Sequence, residues 1–537
     1  MKINLITKYL LLFILTVLSA KCISQNLQNN WFFNTGTVNY ETMTAMTVDG
    51  DGNTIIVGTY EDSIRLGNQT FRATFQGDFG YIAKINAQGD FLWAKEIKSA
   101  GGADLLLSDV ETDADGNIYV FGWFFPIIFP NSEDLSYLFT GIKRTAFYAT
   151  YDTSGNHIAS NSYFSSNIDL GFLFGTIGSN GDLWMGGYSD LVENSVDLEP
   201  FLLQANTNGE IIQNRIFITV GPQDVAVDVV VTESGFYFLG HFGVEADLNL
   251  TGGTNNYQSV NGNDFFVIKS NLDWEVEWVY QAYSDLEGGI VIPSAIVIDE
   301  NENLYISGTY SGRVDFNFGS DPQYLQTSSP NTFEFHSFLV KINKNKEYQW
   351  SLELNGFDAT DLAMDSNGNV FALTSGNDDT VQKISAMGDL KWNQNIPDFI
   401  GKSIQIDQSD NILLAGEFSG DFFYNLDEGM SISSFGSRDL VVLSYSESNT
   451  TNTDDLSMDD IGINIFPNPA SHQITITNDS DRKLLQVLDM NGRIMMNRKI
   501  PHGISDIPIE LTPGNYIFNF NQNGIPVNKM IQVIRKY

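Results

Sequence analysis

The feature that most constrains this chain is a repeat that runs along most of its length. Its first copy, at 44–97, contains four short apolar runs rich in β-branched and aromatic residues, a composition typical of strands. Turns rich in Asp, Asn and Gly separate the first run from the second and the third from the fourth. Aligned five residues after the last asparagine of the first turn, the copies fall at Gly58, Gly122, Gly187, Gly240, Gly308, Thr374 and Gly416. The repeat predicts seven four-stranded antiparallel sheets.

A second regularity connects the two ends of the repeat region. Lysine keeps one register in the third strand and tryptophan one register in the fourth, at Lys84, Lys269, Lys341 and Lys383, and at Trp93, Trp278, Trp350 and Trp392. The seventh copy lacks a fourth strand, whereas Trp31 stands in the matching context ahead of the first copy. Because a ring of sheets must protect its first and last edges, we expect the N-terminal strand to complete the last sheet.

The predicted fold class is therefore all-β, with a seven-bladed β-propeller over residues 25–445 whose last blade is closed by the N-terminal strand. The repeat resembles those of β-propeller proteins secreted by Bacteroidetes, including the pattern Gly-x-Tyr-Ser-Gly-x-Val-Asp-Phe-Asn at 308–317. This resemblance implies an architecture and does not specify an activity.

The N-terminus has the pattern of a secretory signal peptide. In residues 1–24, Lys2 and Lys8 precede an apolar run too short to span a membrane, and no later stretch qualifies as a transmembrane segment. We expect the mature chain to begin at Gln25. A lipidation site at Cys22 is an alternative, although Lys21 stands where a small residue is wanted. Cys22 is the only cysteine, so the mature chain is predicted to have no disulfide and no thiolate ligand.

The C-terminus forms a second predicted domain. A polar linker at 446–460 precedes residues 461–537, whose alternating apolar and polar residues predict a small antiparallel β-sandwich. Its distinctive residues are Pro467, Asn468, Pro469, Gly492, Arg493, Gly514, Tyr516 and Lys529. In this order they resemble the type A C-terminal sorting domain of the type IX secretion system. The resemblance implies a translocon and a sortase as partners, and a secreted or outer-surface location.

Charge is unevenly distributed between the two predicted domains. The chain has a formal net charge of −38, yet residues 461–537 hold 8 of its 28 basic residues and only 5 of its 66 acidic ones. The propeller is therefore strongly acidic, which disfavours nucleic acid and other polyanions as partners.

Signals for catalysis and cofactors are weak. The five histidines show no metal-pair spacing, and no Gly-x-Ser-x-Gly nucleophile motif occurs. The turn at 49–53 partly matches a calcium-binding loop, but Tyr60 occupies the position where that loop needs a glutamate. We therefore interpret the repeated turns as structural and predict no cofactor, while calcium held by scattered carboxylates stays open.

Connection lengths point to one face of the propeller. The connections between second and third strands are long, and in a meander they gather at one end of the blades, where binding residues often lie. The candidate binding residues at this end are Trp123 and Phe124, with Asp109, Asp228 and Asp361 near the channel mouth. The alternative is that the aromatic residues pack internally and the acids are solvated.

These observations favour an exported binding module for a neutral glycan or a basic protein. Two other classes stay open at this point. One is a hydrolase or lyase that acts on extracellular polysaccharide through loop carboxylates, and the other is a structural component of the cell surface.

Overall fold

The computed structural model describes most of the chain. The described residues are 27–37, 41–74, 77–98, 104–125, 143–163, 168–190, 198–220, 224–317, 323–327, 334–376, 378–425, 430–436, 438–447, 463–466, 473–478, 483–488, 494–508, 511, 514–522 and 525–533. The predicted signal peptide and most of the predicted linker lie outside these ranges. Within them, no helix has the length and apolar character needed to cross a membrane.

Seven antiparallel four-strand meanders, here called blades 1 to 7 in chain order, make up the larger unit among the described residues. From the innermost strand outward, blades 1 to 3 consist of Glu41–Val48, Thr54–Tyr60, Phe79–Ile85 and Phe91–Ile97; of Leu105–Thr112, Ile118–Phe124, Thr145–Tyr151 and His157–Tyr163; and of Asp169–Ile177, Leu183–Asp190, Glu199–Ala205 and Ile211–Ile216.

Blades 4 to 7 follow the same plan. Their strands are Val225–Val231, Phe236–Phe242, Asp264–Ser270 and Val276–Ser284; Val291–Ile298, Leu304–Tyr310, His336–Ile342 and Tyr348–Leu354; Asp358–Met364, Val370–Ser375, Asp379–Ile384 and Leu390–Ile396; and Phe399–Ile406, Ile412–Phe418, Asp439–Glu447 and Leu27–Thr35. The third strand of blade 7 runs through Glu447, two residues into the predicted linker.

Short extra strands occupy the long connections between second and third strands. They are Ser63–Leu66 with Gln69–Arg72, Glu245–Asp247 with Asn256–Gln258, Arg313–Asp315 with Tyr324–Gln326, and Asp421–Asn425 with Met430–Ser433. A further short strand, Thr219–Val220 in the connection between blades 3 and 4, pairs with Glu245–Asp247. The first strands of these hairpins carry fully buried residues such as Ile64 and Val314, whereas the second strands at 69–72, 256–258 and 324–326 are mostly exposed, so the connections pack onto the blades through their first strands.

The lysine and tryptophan positions face each other across the two outer strands. The Cα partners are Lys84 with Trp93, Lys269 with Trp278, Lys341 with Trp350 and Lys383 with Trp392. Lys84 also forms an almost fully buried ion pair with Asp49 in the turn between the first two strands, with Nζ 2.7 Å from the carboxylate. Lys341 and Lys383 likewise pair with Asp299 and Asp365 of their turns, whereas Lys269, whose turn has no aspartate, lies 3.3 Å from Glu277. Each of these buried charges thus has an acidic partner.

The tryptophans connect consecutive blades. In four cases the indole N–H donates to a backbone carbonyl in the third-to-fourth-strand turn of the next blade. These bonds are Trp31 to Ala87 at 2.9 Å, Trp93 to Thr153 at 3.2 Å, Trp278 to Lys344 at 3.0 Å and Trp350 to Ala386 at 3.2 Å. The first of them joins blade 7 to blade 1.

The ring closes through this junction. The N-terminal strand Leu27–Thr35 is the outermost strand of blade 7, where it pairs with Asp439–Glu447. One buried cluster contains Phe33 and Val442 of blade 7 together with Ile56 of blade 1. The hydrophobic core thus lies between neighbouring blades, and the junction between first and last blade is packed like the others.

The smaller unit contains the C-terminal strands. A three-stranded sheet is formed by Ile463–Phe466, Gln473–Asn478 and Gly503–Pro508, and a four-stranded sheet by Ile494–Ile500, Lys483–Leu488, Gly514–Gln522 and Ile525–Val533. Isoleucines of the first sheet and Leu485, Val487 and Phe518 of the second form one buried core. This is the antiparallel sandwich that the alternating pattern predicts.

Candidate binding face and central channel

The innermost strands of the seven blades surround a channel of about 560 Å³. Each of these strands carries a β-bulge at the same level, which re-aims the side chains that follow it. The residues just after the bulges are Ala45, Asp109, Phe174, Asp228, Ala295, Asp361 and Ser403. Blades 2, 4 and 6 therefore each place an aspartate in the channel wall.

These three aspartates lie deeper than the sequence suggested. The expectation placed them near the channel mouth, whereas Asp109 is the fifth residue of Leu105–Thr112 and Asp361 the fourth of Asp358–Met364. Each innermost strand begins several residues before its aspartate. The sequence pattern does not reveal this start, because the bulge interrupts the alternation of apolar and polar residues by which a strand is recognised.

The carboxylates join neighbouring blades. Asp109 of blade 2 accepts the backbone N–H of Gly175 in blade 3 at 2.9 Å. Asp361 of blade 6 accepts the backbone N–H of Ile404 in blade 7, also at 2.9 Å. Asp109, Asp228 and Asp361 each also accept the N–H of the residue that follows them, at 2.7–2.8 Å. These side chains hold the channel wall together, and their oxygens are already engaged by protein donors.

Burial shifts the titration of the channel carboxyls toward neutral pH. It raises the pKa of Asp109 to about 7 and that of Asp361 to about 6. The pKa of Asp228 rises to about 8 through burial and then through the charge of Asp109. Glu111, two residues beyond Asp109, has a pKa raised to about 8 by burial and by both of these aspartates. Sequence reasoning missed Glu111, although the two-residue period of a strand places it on the same side as Asp109.

We expect the stability of the propeller to fall as pH rises from about 4 to about 8. Carboxyls whose pKa is raised by folding bind more protons in the folded state, so their stabilising contribution is full below the unfolded pKa and is lost through the folded one. Asp228→Asn should reduce this loss by on the order of 1 kcal/mol, because channel water offsets part of the burial. Urea unfolding at pH 5 and pH 8 measures it.

The matched control for this measurement is Asp51→Asn, which removes the same charge from an exposed turn. This variant should lose as much free energy of unfolding between pH 5 and pH 8 as the wild type does. An equal pH dependence in the wild type and Asp228→Asn would contradict a role for the channel carboxyls.

A second set of acids lies at the face with the long connections. They occupy the start of first or third strands, at Glu41, Asp104, Asp169, Asp224, Asp358, Asp78, Glu199, Asp264, Asp379 and Asp439. Burial raises the pKa of Glu41 to about 7, and the nearby Asp439 of blade 7 adds to the shift. Burial, then Asp104 of blade 2 and Glu61, raise the pKa of Asp78 in blade 1. Acids from consecutive blades thus meet at this face. Their recurrence at strand starts is a sequence signal that was missed.

The two candidate aromatic residues differ in their surroundings. Phe124 is 7% exposed and packs edge-on against Phe147 with ring centroids 5.5 Å apart, so it belongs to the core. Trp123 is half-buried, and the guanidinium carbon of Arg144 lies 4.4 Å from its ring centroid. The chain's own arginine therefore covers a ring face that was expected to be open to a ligand.

The repeated turns have their acceptors filled by the protein itself. The Asp49 carboxylate accepts the backbone N–H groups of Asp51 and Asn53 at 3.0 and 2.9 Å, besides its bond to Lys84. Within the described ranges, no group of three or more His, Cys, Asp or Glu side chains is arranged to hold a metal ion. The geometry of these turns agrees with their structural interpretation.

Of the distinctive C-terminal residues, the structure describes three. Gly514 and Tyr516 lie in the strand Gly514–Gln522, and Tyr516 is 5% exposed in the core of the sandwich. Lys529 lies on the neighbouring strand, opposite Phe518. The remaining five, Pro467, Asn468, Pro469, Gly492 and Arg493, lie outside the described residues.

Comparison with known families identifies the C-terminal region. Residues 464–534 match the family described as "Secretion system C-terminal sorting domain". The chain carries a type IX sorting signal. Proteins with this domain are exported by type IX secretion to the cell surface or outside, which gives the location of this protein and its interaction with that secretion system. No curated protein matches the chain significantly.

Three solved structures are among those similar to the chain. The Dos1 propeller matches at 9% identity and a TM-score of 0.40, covering 79% of this chain and 96% of its own. U3-55K matches at 11% identity and a TM-score of 0.38, and the match covers 77% of this chain and 98% of U3-55K. A protein of unknown function from Bacteroides caccae matches at 11% identity and a TM-score of 0.30, and the match covers 61% of this chain and 96% of that protein. At such values these similarities support no statement about function.

Proposed function

We propose that this exported protein is a binding module that holds a cationic segment of another protein at the face with the long connections. The observation that carries the proposal is the recurrence of acids at this face, where Asp104 and Asp358 are exposed and the charge of Asp104 raises the pKa of half-buried Asp78 in the preceding blade. Lysine and arginine side chains of a partner would relieve this repulsion, so binding a cation is favourable there.

The net charge of the chain supports the same partner class. A formal charge of −38, carried mainly by the propeller, attracts basic proteins over distances of about a Debye length and repels polyanions. A neutral glycan is less favoured, because Arg144 already covers the Trp123 ring that would stack on a sugar. The channel aspartates offer little to acid–base catalysis, because backbone N–H groups already engage their oxygens.

Surface plasmon resonance with a basic protein, a neutral glycan and heparin tests the proposal. The variant Asp104→Asn/Asp358→Asn removes two exposed acids from the proposed face. Its control, Asp51→Asn/Asp115→Asn, removes two exposed acids from tight turns at the opposite end of the blades. Both variants change the net charge equally, so a difference between them reports the site and not the overall field.

We expect the wild type to bind the basic protein, with an association rate that falls as salt rises, and to reject heparin. Asp104→Asn/Asp358→Asn should weaken binding by about tenfold or more, since charge pairs at an interface contribute about 1 kcal/mol or more each. The control should bind almost like the wild type. Tight heparin binding, preference for the neutral glycan, or equal losses in both variants would each contradict the proposal.

A further inference from the structure

An aromatic cluster with one arginine stands out at the junction of blades 2 and 3. The guanidinium carbon of Arg144 lies 4.4 Å from the ring centroid of Trp123, 5.1 Å from that of Phe125 and 5.2 Å from that of Tyr188. The Tyr188 hydroxyl accepts a hydrogen bond from Nη1 of the arginine. Three rings and one hydrogen bond therefore fix the guanidinium in place.

The backbone of blade 3 makes room for this arrangement. A Cβ atom at Gly171 would lie about 3.0–3.1 Å from atoms of Trp123 and Tyr188. A larger residue at this position would push the two rings apart by a few tenths of an ångström, so glycine favours their close approach across the junction. The backbone N–H of Arg144 also donates to the Asp169 carboxylate at 2.5 Å, and Nζ of Lys143 lies 3.7 Å from the same carboxylate.

Arg144 nevertheless has no carboxylate partner for its guanidinium among the described residues. Three other arginines of the propeller do pair with acids, namely Arg215 with Asp247, Arg313 with Asp285 and Arg438 with Glu417. Arg65 and Arg72 also lack an acid but are exposed, so Arg144 is the one partly buried arginine without an acid among the described residues of the propeller.

Two donors in this cluster also lack acceptors. Nε of Arg144 and Nε1 of Trp123 are both enclosed by protein, and neither has a hydrogen-bond partner among the described residues. A buried N–H without an acceptor costs about 1–3 kcal/mol, so natural structures rarely leave two together. A group that supplies two acceptor oxygens at the guanidinium, which is only partly buried, would balance its charge and would satisfy these donors once the rings around them move apart.

We propose that this cluster is a binding site for a single carboxylate group of an external ligand. Arg144 supplies the charge and a planar edge of N–H donors, Trp123 supplies a further N–H, and the rings exclude water from the bonds. The site is independent of the proposed binding of cations at this face, because it recognises the opposite charge through different side chains. The carboxylate can belong to a uronic acid or to the C-terminus of a peptide.

Isothermal titration of the full exported protein with glucuronate, N-acetylglycine and glucose tests this site. Glucose is the uncharged counterpart of glucuronate, and the two acids distinguish a glycan carboxylate from a peptide terminus. We expect at least one acid to bind in the millimolar range, about tenfold or more tighter than glucose, since hydrogen bonds to charged groups contribute about 1.5–3 kcal/mol.

Three variants separate the contributions of charge and geometry. Arg144→Lys keeps the charge but loses the planar donor edge, and should weaken acid binding about tenfold. Trp123→Phe keeps a ring but loses one N–H, and should weaken it about threefold to tenfold. Arg313→Gln, which removes an arginine already paired with Asp285, is the control and should bind like the wild type.

Circular dichroism and melting of each variant exclude unfolding as the cause of a loss. Equal binding of glucose and both acids, absence of acid binding by the wild type, or unchanged acid binding by folded Arg144→Lys and Trp123→Phe would each overturn the proposal. Tighter binding of glucuronate or of N-acetylglycine would name the source of the carboxylate.

Discussion

Replacing Trp31 with alanine is expected to lower the free energy of unfolding by about 3 kcal/mol, at the lower end for tryptophan because its ring is only half-buried. The substitution removes the indole donor to the Ala87 carbonyl and the ring that packs on Gly89 of blade 1. No side chain of residue 89 fills the space that the indole leaves, because this residue is a glycine with a φ of 87°, a conformation that other residues rarely adopt. Thermal unfolding should show a fall of several degrees in Tm.

Trp93→Ala is the matched control for this substitution. Trp93 makes the same contact between blades 1 and 2, with its indole donating to Thr153 and its ring packed on Gly155. Both variants should lose stability. Only Trp31→Ala should accelerate hydrogen exchange in Leu27–Thr35, since it alone loosens the closing strand. An unchanged melting transition for Trp31→Ala would mean that the closing strand contributes nothing to stability.

Deleting residues 461–537 is expected to abolish appearance of the protein outside the cell. The deletion removes the region that matches the sorting domain, so the chain should accumulate in the periplasm if the predicted signal peptide directs it there. For the full-length protein, mass spectrometry of the surface or medium fraction should find a chain that begins near Gln25 and ends within 446–461. Intact 1–537 in that fraction would contradict this expectation.

Point substitutions refine the export experiment. Tyr516→Ala removes a side chain that is 5% exposed in the core of the sandwich, and it should reduce export strongly. Ile504→Ser changes an isoleucine of the same unit that is 75% exposed, and it should leave export nearly unchanged. Equal export of both variants would show that the folded sandwich is not what the secretion system recognises.

Much of the fold can be predicted from the sequence, because each blade is formed by residues that are close together along the chain. The register of Lys84 opposite Trp93 follows from the two-residue period of strands and from the short turn between them. The carbonyl groups that accept hydrogen bonds from the tryptophans cannot be predicted in this way. The carbonyl that accepts from Trp93 belongs to Thr153, in a turn of the next blade far along the chain. Such contacts depend on how blades stack, which no local pattern encodes.

The site was less predictable for a related reason. Asp109 and Asp361 were predicted to lie near the channel mouth, but their depth and their bonds to Gly175 and Ile404 depend on bulges that shift the register by one residue. Trp123 was chosen because it begins an aromatic-rich stretch that was predicted to lie in a long connection, whereas it lies in the strand Ile118–Phe124. Its contact with Arg144 requires the third strand to return beside the second, and the residue that faces Trp123 across this pair is Ala146.

The way blade 7 is assembled has a consequence for the timing of folding. Its outermost strand, Leu27–Thr35, is among the first parts of the mature chain to be made, whereas its partner Asp439–Glu447 follows every other blade. The N-terminal strand therefore has no partner strand until about four hundred further residues have been synthesised. Because the two segments are far apart in sequence, we expect their pairing to be slow. A chain interrupted before residue 439 leaves two bare strand edges that can recruit other chains. Only a polypeptide read through to the last blade can bury both.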